Sequence, residues 1–384
     1  MVQQSSMSQN KGYVLIINND AWTTMKHRLG IIRALQEEGF YVKAAAAKYE
    51  DKHKAIEEIC PFIEMKKINI LSLNPLDDLS FMMEVRKLYK KEKPDVVLLY
   101  TIKPNIYGNM AAFSQKVKTI STVNGLGRTF SKKGILNFIV KTLFKVSFSR
   151  ANKVIFQNHD DKQLFLDGNL VAQNSVCVVP GSGVDTNKFA PVNISKQDKK
   201  FKFLLASRLV NDKGIKEYAK AARNVRLEFP QAEFILLGPF TDKGGKDEIS
   251  IELINQWQKE GIINYKGVSD DMPREIAESD VIVLPSYYRE GVPRILLEAL
   301  SMGKPIITTD NVGCRETVDD GRNGFIIPVR DVESLANASI KMITMPQEQL
   351  NKMGEESRAK AISEFDEQIV FSTYVKTIKE LINP

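Results

Sequence analysis

Residues 281–309 constrain the fold of this chain more than any other segment. An apolar run at 281–284 leads into a polar turn that contains a glycine, and apolar side chains then recur at helical spacing at positions 295, 296, 299 and 300. Pro293 falls in the first turn of that helix, and a Gly-Lys-Pro sequence ends the helix before a second apolar run at 305–309. The segment therefore predicts a strand–helix–strand unit of a parallel sheet, in which ligands bind at the carboxyl ends of the strands.

Two carboxylates flank the start of this helix. Glu290 lies in the loop and Glu298 on the helix, so at about 1.5 Å per helical residue their backbones are separated by up to roughly 12 Å. That length is comparable to the distance from a hexose to a ribose across a diphosphate, and the helix N-terminus between them offers N–H groups to an anion. Alone, such a pair is usually two solvated surface glutamates, and the flanking residues decide between the two interpretations.

The sequence E-G-V-P-R-I-L-L-E-A, preceded by L-P-S-Y and followed by G-K-P-I-I, resembles the E-x7-E donor motif of the family 4 retaining glycosyltransferases. The resemblance implies that Glu290 contacts the hydroxyls of the donor sugar and that Glu298 contacts the ribose. It also implies that the backbone of Gly291 and Val292, with Pro293 beside them, lies at the phosphates of the donor.

Loops elsewhere in the carboxyl-terminal half carry other motifs of that family. Arg208 and Lys213 follow an apolar run at 201–206 and resemble the R-x4-K-G pair that clamps the donor diphosphate through charge-assisted hydrogen bonds. The resemblance also assigns Gly267 and Val268 to the nucleotide base, and we place Gly183 at the donor site. Without the resemblance, an arginine and a lysine five residues apart in a loop would be interpreted as solvated charges.

Length and composition favour a globular protein of two domains. The 384 residues are 43% apolar and 26% charged, which is enough for two hydrophobic cores. Cys60, Cys177 and Cys314 lack metal-ligand spacing and no D-x-D motif occurs, so we expect no metal and no cofactor beyond a nucleotide-sugar substrate. The first ten residues do not resemble a signal peptide, and no apolar run reaches the length of a membrane span. We therefore expect a cytoplasmic location.

The amino-terminal half opens with a strand, a helix and a second strand, predicted at residues 13–17, 29–39 and 41–47. The loop after the first strand lacks the G-x-G-x-x-G pattern of a dinucleotide site, and it lacks the glycine pair with which many family members admit the donor phosphates. Later apolar runs predict further strands. We expect the run at 153–157 to be the last strand of the first sheet.

Two polar loops of this half follow predicted strands, where ligands bind in parallel sheets. Their sequences K-P-N-I-Y-G and G-L-G-x-x-F, with S-L-N-P at 72–75, resemble a bacterial subgroup that extends undecaprenyl-diphosphate-linked sugars in capsule, O-antigen and N-glycan assembly. The resemblance implies an acceptor site made of Lys103, Asn105, Tyr107, Asn124, Gly125, Gly127 and Arg128. Many family members have a histidine where Asn124 stands, so no catalytic histidine is assigned. Structural glycines in two turns are the alternative interpretation.

The family resemblance implies the GT-B fold, an α/β architecture of two Rossmann-like domains whose parallel sheets face each other across a cleft. A glycine- and proline-punctuated segment at 181–191 is typical of an interdomain linker. We therefore expect an N-terminal, acceptor-binding and membrane-facing domain over residues 1–181 and a C-terminal nucleotide-sugar domain over 182–364. The helical segment 365–384 is expected to cross back to the first domain.

The net charge of +7 is concentrated in the amino-terminal half, where residues 96–159 contain ten basic residues and no carboxylate. Within this stretch, residues 134–148 are mostly apolar, with a polar stripe that includes Lys141 and Lys145. Such a helix is either buried in the core or lies in a membrane interface with its lysines toward the headgroups. The preceding Lys132 and Lys133 favour the interface, so we expect peripheral binding to the anionic inner leaflet of a bacterial membrane.

The family resemblance implies a retaining, metal-independent glycosyltransferase that moves a hexose or N-acetylhexosamine from a UDP-sugar to an undecaprenyl-diphosphate-linked saccharide. Arg208 and Lys213 would stabilise the leaving diphosphate, with Glu290 as the third catalytic residue. Two alternatives remain: a nucleotide-sugar epimerase or other GT-B enzyme, and a non-catalytic relative that binds sugar nucleotides. We expect no nucleic-acid partner.

Overall fold

The computed structural model describes residues 11–70, 72, 74–126, 134–192, 200–240 and 247–383. The chain forms two compact units, Met1–Ser182 with Gln368–Pro384, and Gly183–Glu367. Each unit is built on one sheet whose strands pair in parallel. This architecture confirms the predicted α/β fold class.

The first unit contains a seven-stranded sheet of order β3-β2-β1-β4-β5-β6-β7. Its strands are β1 Tyr13–Asp20, β2 Tyr41–Ala47, β3 Phe62–Glu64, β4 Val96–Tyr100, β5 Lys118–Val123, β6 Lys153–Phe156 and β7 Val176–Val178. The expectation that the run at 153–157 ends this sheet was wrong, because β7 pairs with β6 in parallel. β7 has only three residues, too few for an apolar period to reveal it.

The helices of the first unit cover both faces of its sheet. They are α1 Ala21–Glu37, α2 Lys52–Glu57, α3 Pro75–Glu92, α4 Asn109–Phe113, α5 Ile135–Phe148 and α6 His159–Asp167, with a π-helical turn at Pro104–Gly108 and a 3-10 turn at Gln173–Ser175. Helix α3 begins at Pro75, because Asn74 Oδ1 accepts a hydrogen bond from Leu76 N (3.0 Å) and Pro75 occupies the first turn.

The second unit contains a six-stranded sheet of order β10-β9-β8-β11-β12-β13. Its strands are β8 Phe201–Ala206, β9 Ala232–Leu237, β10 Asn264–Tyr265, β11 Val281–Leu284, β12 Ile306–Thr309 and β13 Gly324–Ile327. Strands β8 and β11 are neighbours although about 75 residues separate them in sequence. The loops that follow these two strands therefore emerge side by side at one edge of the sheet.

The helices of the second unit are α7 Ile215–Glu228, α8 Ile251–Lys259, α9 Met272–Ala277, α10 Arg294–Ser301, α11 Val332–Thr344 and α12 Gln347–Glu364, with 3-10 turns at Asn211–Lys213 and Arg315–Thr317. The last helix, α13 Glu367–Ile382, starts at the end of the second unit. Its apolar residues, among them Tyr374 and Ile378, pack in the core of the first unit. The predicted return of the final segment to the first domain is confirmed.

Candidate active site

In the second unit, the loops after β8 and β11 are joined through one backbone carbonyl. Asp212 O accepts hydrogen bonds from Tyr287 N (2.9 Å) and Tyr288 N (3.1 Å), and Ser286 Oγ lies 3.2 Å from the same oxygen. These bonds bring the predicted R-x4-K segment and the predicted E-x7-E segment together. The two motifs therefore form one site.

The two motifs also meet through an ion pair. Lys213 Nζ lies 2.5 Å from Glu290 Oε2, and Ser286 Oγ donates to the other carboxylate oxygen, Oε1, at 2.9 Å. Both charged side chains are largely buried, with 15% of the Glu290 side chain exposed. Lys213 Nζ also lies 5.6 Å from the centre of the Tyr288 ring. An ammonium group has three donors, so Lys213 can bind an anion while it keeps Glu290 in place.

Arg208 supplies an exposed positive charge to the same loop. It follows β8 directly, and its side chain makes no ion pair with any other residue in the described part of the chain. Its guanidinium is therefore available for bidentate contact with a phosphate. The loop offers one buried cation at Lys213 and one exposed cation at Arg208.

Close backbone contacts fix both loops. Gly214 has a φ of +75°, and a β carbon there would lie 2.1 Å from Pro285 O. Gly313 has a φ of +87°, and a β carbon there would lie 1.6 Å from Gly291 O. Only glycine fits at either position, because any side chain would push the loops apart.

Hydrogen bonds from the end of β12 support the loop after β11. Thr309 Oγ1 donates to Ser286 O, and Asn311 Nδ2 donates to Tyr288 O at 2.8 Å. Below the loop, burial raises the pKa of the Cys314 thiol to about 12, with the negative charge of Glu290 as the next cause. Cys314 therefore stays a protonated thiol in the core.

Helix α10 carries the second glutamate of the motif. The carboxylate of Glu298 is mostly buried and accepts a hydrogen bond from Arg294 Nε at 3.0 Å. Pro293 precedes the helix as its N-cap instead of lying in its first turn, and among the described residues no side chain caps this N-terminus. The start of α10, with Gly291 and Val292 leading into it, presents the positive end of the helix dipole, which favours an anion.

The other two donor-site assignments lie in different surroundings. Gly267 has a φ of +76° and its carbonyl accepts a hydrogen bond from Gly238 N (2.8 Å), so Val268 is presented on the surface after β10. Gly183 packs instead against the end of the second unit, where a β carbon would lie 2.5 Å from Glu367 Cα. This packing explains its φ of +70° without a ligand, and its role at the donor remains a prediction.

In the first unit, a cavity of about 420 Å³ lies at the carboxyl ends of β1, β4 and β5. Three of its lining side chains are Asn19, Asn105 and Asn124, and the Oδ1 atom of each is buried without a hydrogen-bond partner in the described part of the chain. Asn105 is held firmly, since its Nδ2 donates to Thr122 O at 2.8 Å. Buried oxygens without donors are costly, so they favour a ligand that supplies N–H or O–H groups.

Two predicted acceptor residues are instead tied to helix α3. Lys103 Nζ lies 2.6 Å from Asp78 Oδ1, and Tyr107 Oη donates to Asp78 Oδ2 at 2.7 Å. Lys103 also donates to Ser72 O at 2.7 Å, and its side chain lines the cavity beside Gly125. The charge of Lys103 is therefore balanced by Asp78, and Tyr107 acts as a support for the cavity.

The remaining assignments of the first unit concern its basic stretch. Gly127, Arg128, Lys132 and Lys133 lie outside the residues that the structure describes. Helix α5 buries Phe144 and Phe148 but exposes 71% of Phe138, together with Ile139, Val146 and Lys145. This helix is therefore neither a fully buried core helix nor a polar surface helix. In the described part of the chain, no helix has the length and apolarity needed to cross a membrane.

Taken together, the two sheets and the paired motifs define an enzyme of the GT-B glycosyltransferase class. The family model described as "Glycosyl transferases group 1" matches residues 187–360, and the model described as "Glycosyl transferase 4-like" matches residues 13–158. The chain therefore contains a group 1 glycosyltransferase domain and a 4-like glycosyltransferase domain. The resemblance inferred from the motifs is thereby confirmed.

Curated relatives match along most of their length. The "N,N'-diacetylbacillosaminyl-diphospho-undecaprenol alpha-1,3-N-acetylgalactosaminyltransferase" of Campylobacter jejuni is 26% identical, over 92% of this chain and 95% of the relative. The "UDP-Gal:alpha-D-GlcNAc-diphosphoundecaprenol alpha-1,3-galactosyltransferase" of Escherichia coli is 28% identical, over 77% and 78%. A capsular polysaccharide biosynthesis glycosyltransferase of Staphylococcus aureus, CapM, is 27% identical over 91% and 94%.

Solved structures share the fold. A glycosyltransferase from Rickettsia africae superposes with a TM-score of 0.79 at 20% identity, covering 97% of this chain and 99% of that one. Anabaena HepE in complex with UDP and glucose gives a TM-score of 0.77 at 19% identity, covering 96% and 99%. At these identities the likeness establishes the GT-B fold and nothing about substrates.

Several residues of the site escaped the sequence analysis. Ser286 positions Glu290, Asp212 joins the two loops, and Arg294 holds Glu298. The serine and the arginine lie inside the quoted motif, but their roles depend on contacts that spacing does not predict. Asn19 carries no motif, and only its burial without a partner identifies it.

Proposed function

We propose that the chain transfers a hexose or N-acetylhexosamine from a UDP-sugar to a saccharide carried on undecaprenyl diphosphate, in bacterial surface polysaccharide or glycan assembly. The named relatives from Campylobacter jejuni and Escherichia coli act on diphospho-undecaprenol-linked substrates, and the second uses UDP-galactose. Both are similar in sequence to this chain over most of its length. The proposal covers both a hexose and an N-acetylhexosamine as the transferred sugar.

The observation that carries the proposal is the 2.5 Å pair of Lys213 and Glu290 beside the exposed Arg208. One loop supplies cations for a diphosphate and the other supplies a carboxylate for sugar hydroxyls. The ion pair and the hydrogen bonds to Asp212 O hold the two loops in contact. Such preorganised charge stabilises a leaving group in the transition state without the cost of reorganising water.

The proposed reaction proceeds with retention at the anomeric carbon and without a metal. The bond between that carbon and the β-phosphate oxygen breaks, and its electron pair leaves with UDP. The acceptor hydroxyl oxygen attacks from the same face and forms the new glycosidic bond, and its proton passes to the departing phosphate oxygen. Lys213 and Arg208 stabilise the charge on the diphosphate, while Glu290 orients the sugar.

We assign the acceptor sugar to the cavity of the first unit. The Oδ1 atoms of Asn19, Asn105 and Asn124 can each accept a hydrogen bond. Sugar hydroxyls and acetamido N–H groups can donate these hydrogen bonds. The cavity wall also includes Val140 and Phe144 of α5, which offer an apolar surface to the carbon face of a pyranose or to an acetyl methyl group.

We also propose that the first unit binds the inner leaflet through α5. Phe138, Ile139 and Val146 are exposed and apolar, and Lys141 and Lys145 flank them on the same helix. This arrangement suits a membrane interface, where apolar groups enter the headgroup boundary and lysines meet anionic lipids. Changing Lys132, Lys133 and Lys141 together to Glu should lower sedimentation with anionic vesicles and leave UDP binding intact. Equal sedimentation of wild type and variant would contradict this part of the proposal.

The test of the proposal is incubation with a panel of UDP-sugars, with and without a short-chain polyprenyl-diphosphate saccharide. Transfer that requires the acceptor supports the proposal. A change of the nucleotide sugar without acceptor would indicate an epimerase. Binding of UDP with no reaction of any sugar would indicate a non-catalytic relative. Either of the last two results would overturn the proposal.

A further inference from the structure

Helix α3 of the first unit exposes large apolar side chains along one line. Leu76, Leu79 and Met83 are spaced three and four residues apart, so they lie on the same face of the helix. Leu76 is 72% exposed, Leu79 51% and Met83 41%. The opposite side of the helix already packs in the core through Phe81 and Val85. The exposed line is therefore a second apolar surface of the same helix.

Toward its C-terminus the same face becomes basic. Arg86, Lys87 and Lys90 are all exposed, and at 3.6 residues per turn they continue the line of the apolar side chains. We call these six residues, Leu76, Leu79, Met83, Arg86, Lys87 and Lys90, the α3 outer face. From its first to its last residue it extends about 21 Å along the helix.

Three carboxylates of α3 make their contacts outside the outer face. Asp78 pairs with Lys103. Glu84 accepts hydrogen bonds from the backbone nitrogens of residues 66 and 67, at 2.9 and 3.0 Å. Glu92 pairs with Lys43 at 2.6 Å. The outer face thus combines apolar groups with positive charge and has no carboxylate among its six residues.

An ion pair links helix α3, which carries the outer face, to the wall of the cavity in the first unit. The Asp78–Lys103 pair fixes the first turn of α3 to the cavity wall, and the exposed Ile70 and Ile102 lie at the cavity itself. Residues of α5 form another part of the wall. Helix α5 therefore lines the cavity, and helix α3 is attached to its wall through the Asp78–Lys103 pair.

From these observations we propose that the α3 outer face binds an anionic lipid surface, as a second contact independent of α5. Leu76, Leu79 and Met83 enter the boundary between headgroups and acyl chains, while the basic end stays among the phosphates. Two contacts, one on a helix that lines the cavity and one on a helix attached to its wall, hold the cavity mouth at the membrane surface. This lipid contact rests on the proposed function, because a lipid-linked acceptor would enter the cavity from that surface.

The test uses the full-length protein with Leu76→Ser and Leu79→Ser combined. Both side chains are more than half exposed, so the fold should be retained, and circular dichroism checks this. Leu227→Ser is the matched control, since Leu227 is 85% exposed on α7 of the second unit. We expect sedimentation with vesicles of phosphatidylcholine and phosphatidylglycerol to fall about tenfold for the double variant and to stay unchanged for the control. Unchanged sedimentation of the double variant would overturn the inference.

Two further measurements distinguish lipid binding by the outer face from a role in catalysis or in self-association. A short-chain acceptor in solution, without vesicles, should be glycosylated equally by wild type and double variant, whereas an acceptor embedded in vesicles should be glycosylated more slowly by the variant. Absence of transfer from the wild type would refute the proposed function and leave the vesicle result to decide this inference.

Sedimentation equilibrium tests for self-association. A wild-type dimer that the double variant converts to a monomer, with vesicle binding unchanged, would assign the face to a second copy of the chain and overturn the lipid contact.

Discussion

Replacement of Lys213 by methionine separates the structural role of the ion pair from its catalytic role. Methionine keeps an apolar stem of similar length but removes the ammonium group that lies 2.5 Å from Glu290. The carboxylate then keeps the 2.9 Å hydrogen bond from Ser286 but has lost its counter-charge. The variant therefore leaves a largely buried carboxylate without the ammonium group of Lys213.

The burial of the pair sets the expected loss of stability. Removing one partner of a buried ion pair typically costs about 3–5 kcal/mol. Because the Glu290 side chain is 15% exposed and keeps Ser286, we expect about 2–3 kcal/mol here. In a unit of this size that corresponds to a fall in Tm of about 4–12 °C, measured in the unfolding transition of the second unit.

The loss of kcat should be larger than the loss of folded protein can explain. Loss of one charge-stabilising donor typically lowers kcat about 100- to 1000-fold. The assay is the initial rate at saturating UDP-sugar and acceptor, at a temperature well below the lowered Tm. Under these conditions the variant is folded, so the rate reports the missing ammonium group.

The double variant Lys213→Met with Glu290→Gln completes the experiment. Glutamine removes the buried negative charge and can still accept the hydrogen bond from Ser286, so most of the lost Tm should return. The rate should stay low, because the cation is still missing. Recovery of both Tm and rate in the double variant would show that Lys213 has no catalytic role of its own, as would a near wild-type rate for Lys213→Met alone.

Three other changes should have distinct effects. Arg208→Ala should lower kcat, because it removes about 2–4 kcal/mol of transition-state stabilisation. The Tm should not change, because the side chain is exposed, and a lower Tm would show a structural role. Glu298→Gln should raise the KM for the UDP-sugar more than it lowers kcat, and an unchanged KM would contradict its assignment to the ribose. Burial, with Asp185 as the next cause, raises the pKa of Glu367 from 4.5 to about 7, so the folded state retains this proton at pH values where the unfolded state has lost it. Stability should therefore decrease as pH rises from about 4.5 to 7, and Glu367→Gln should flatten this dependence in urea unfolding at several pH values.

The sequence predicts the elements of the site better than it predicts their contacts. The strand, loop and helix around Glu290 follow from apolar spacing, because a buried strand and an amphipathic helix have different periods. The pairing of Lys213 with Glu290 does not follow from spacing. It depends on β8 and β11 being neighbours in the sheet, which is a property of the strand order.

The first unit illustrates the same limit. Lys103 and Asn105 were both assigned to the acceptor from one short sequence, but the structure gives them different surroundings. Lys103 is paired with Asp78 from a helix about 25 residues earlier, whereas the buried Oδ1 of Asn105 has no partner in the described part of the chain. Only the packing of α3 reveals which of the two groups is available to a ligand.

The anomeric configuration of the product tests the retaining, metal-independent transfer most directly. The protein is incubated with an α-linked UDP-sugar and a short-chain polyprenyl-diphosphate saccharide in the presence of EDTA, and the product linkage is determined by proton NMR. The proposed mechanism predicts an α-linked product that forms at the same rate with and without the chelator. A β-linked product, or a reaction abolished by EDTA and restored by a divalent cation, would contradict that mechanism.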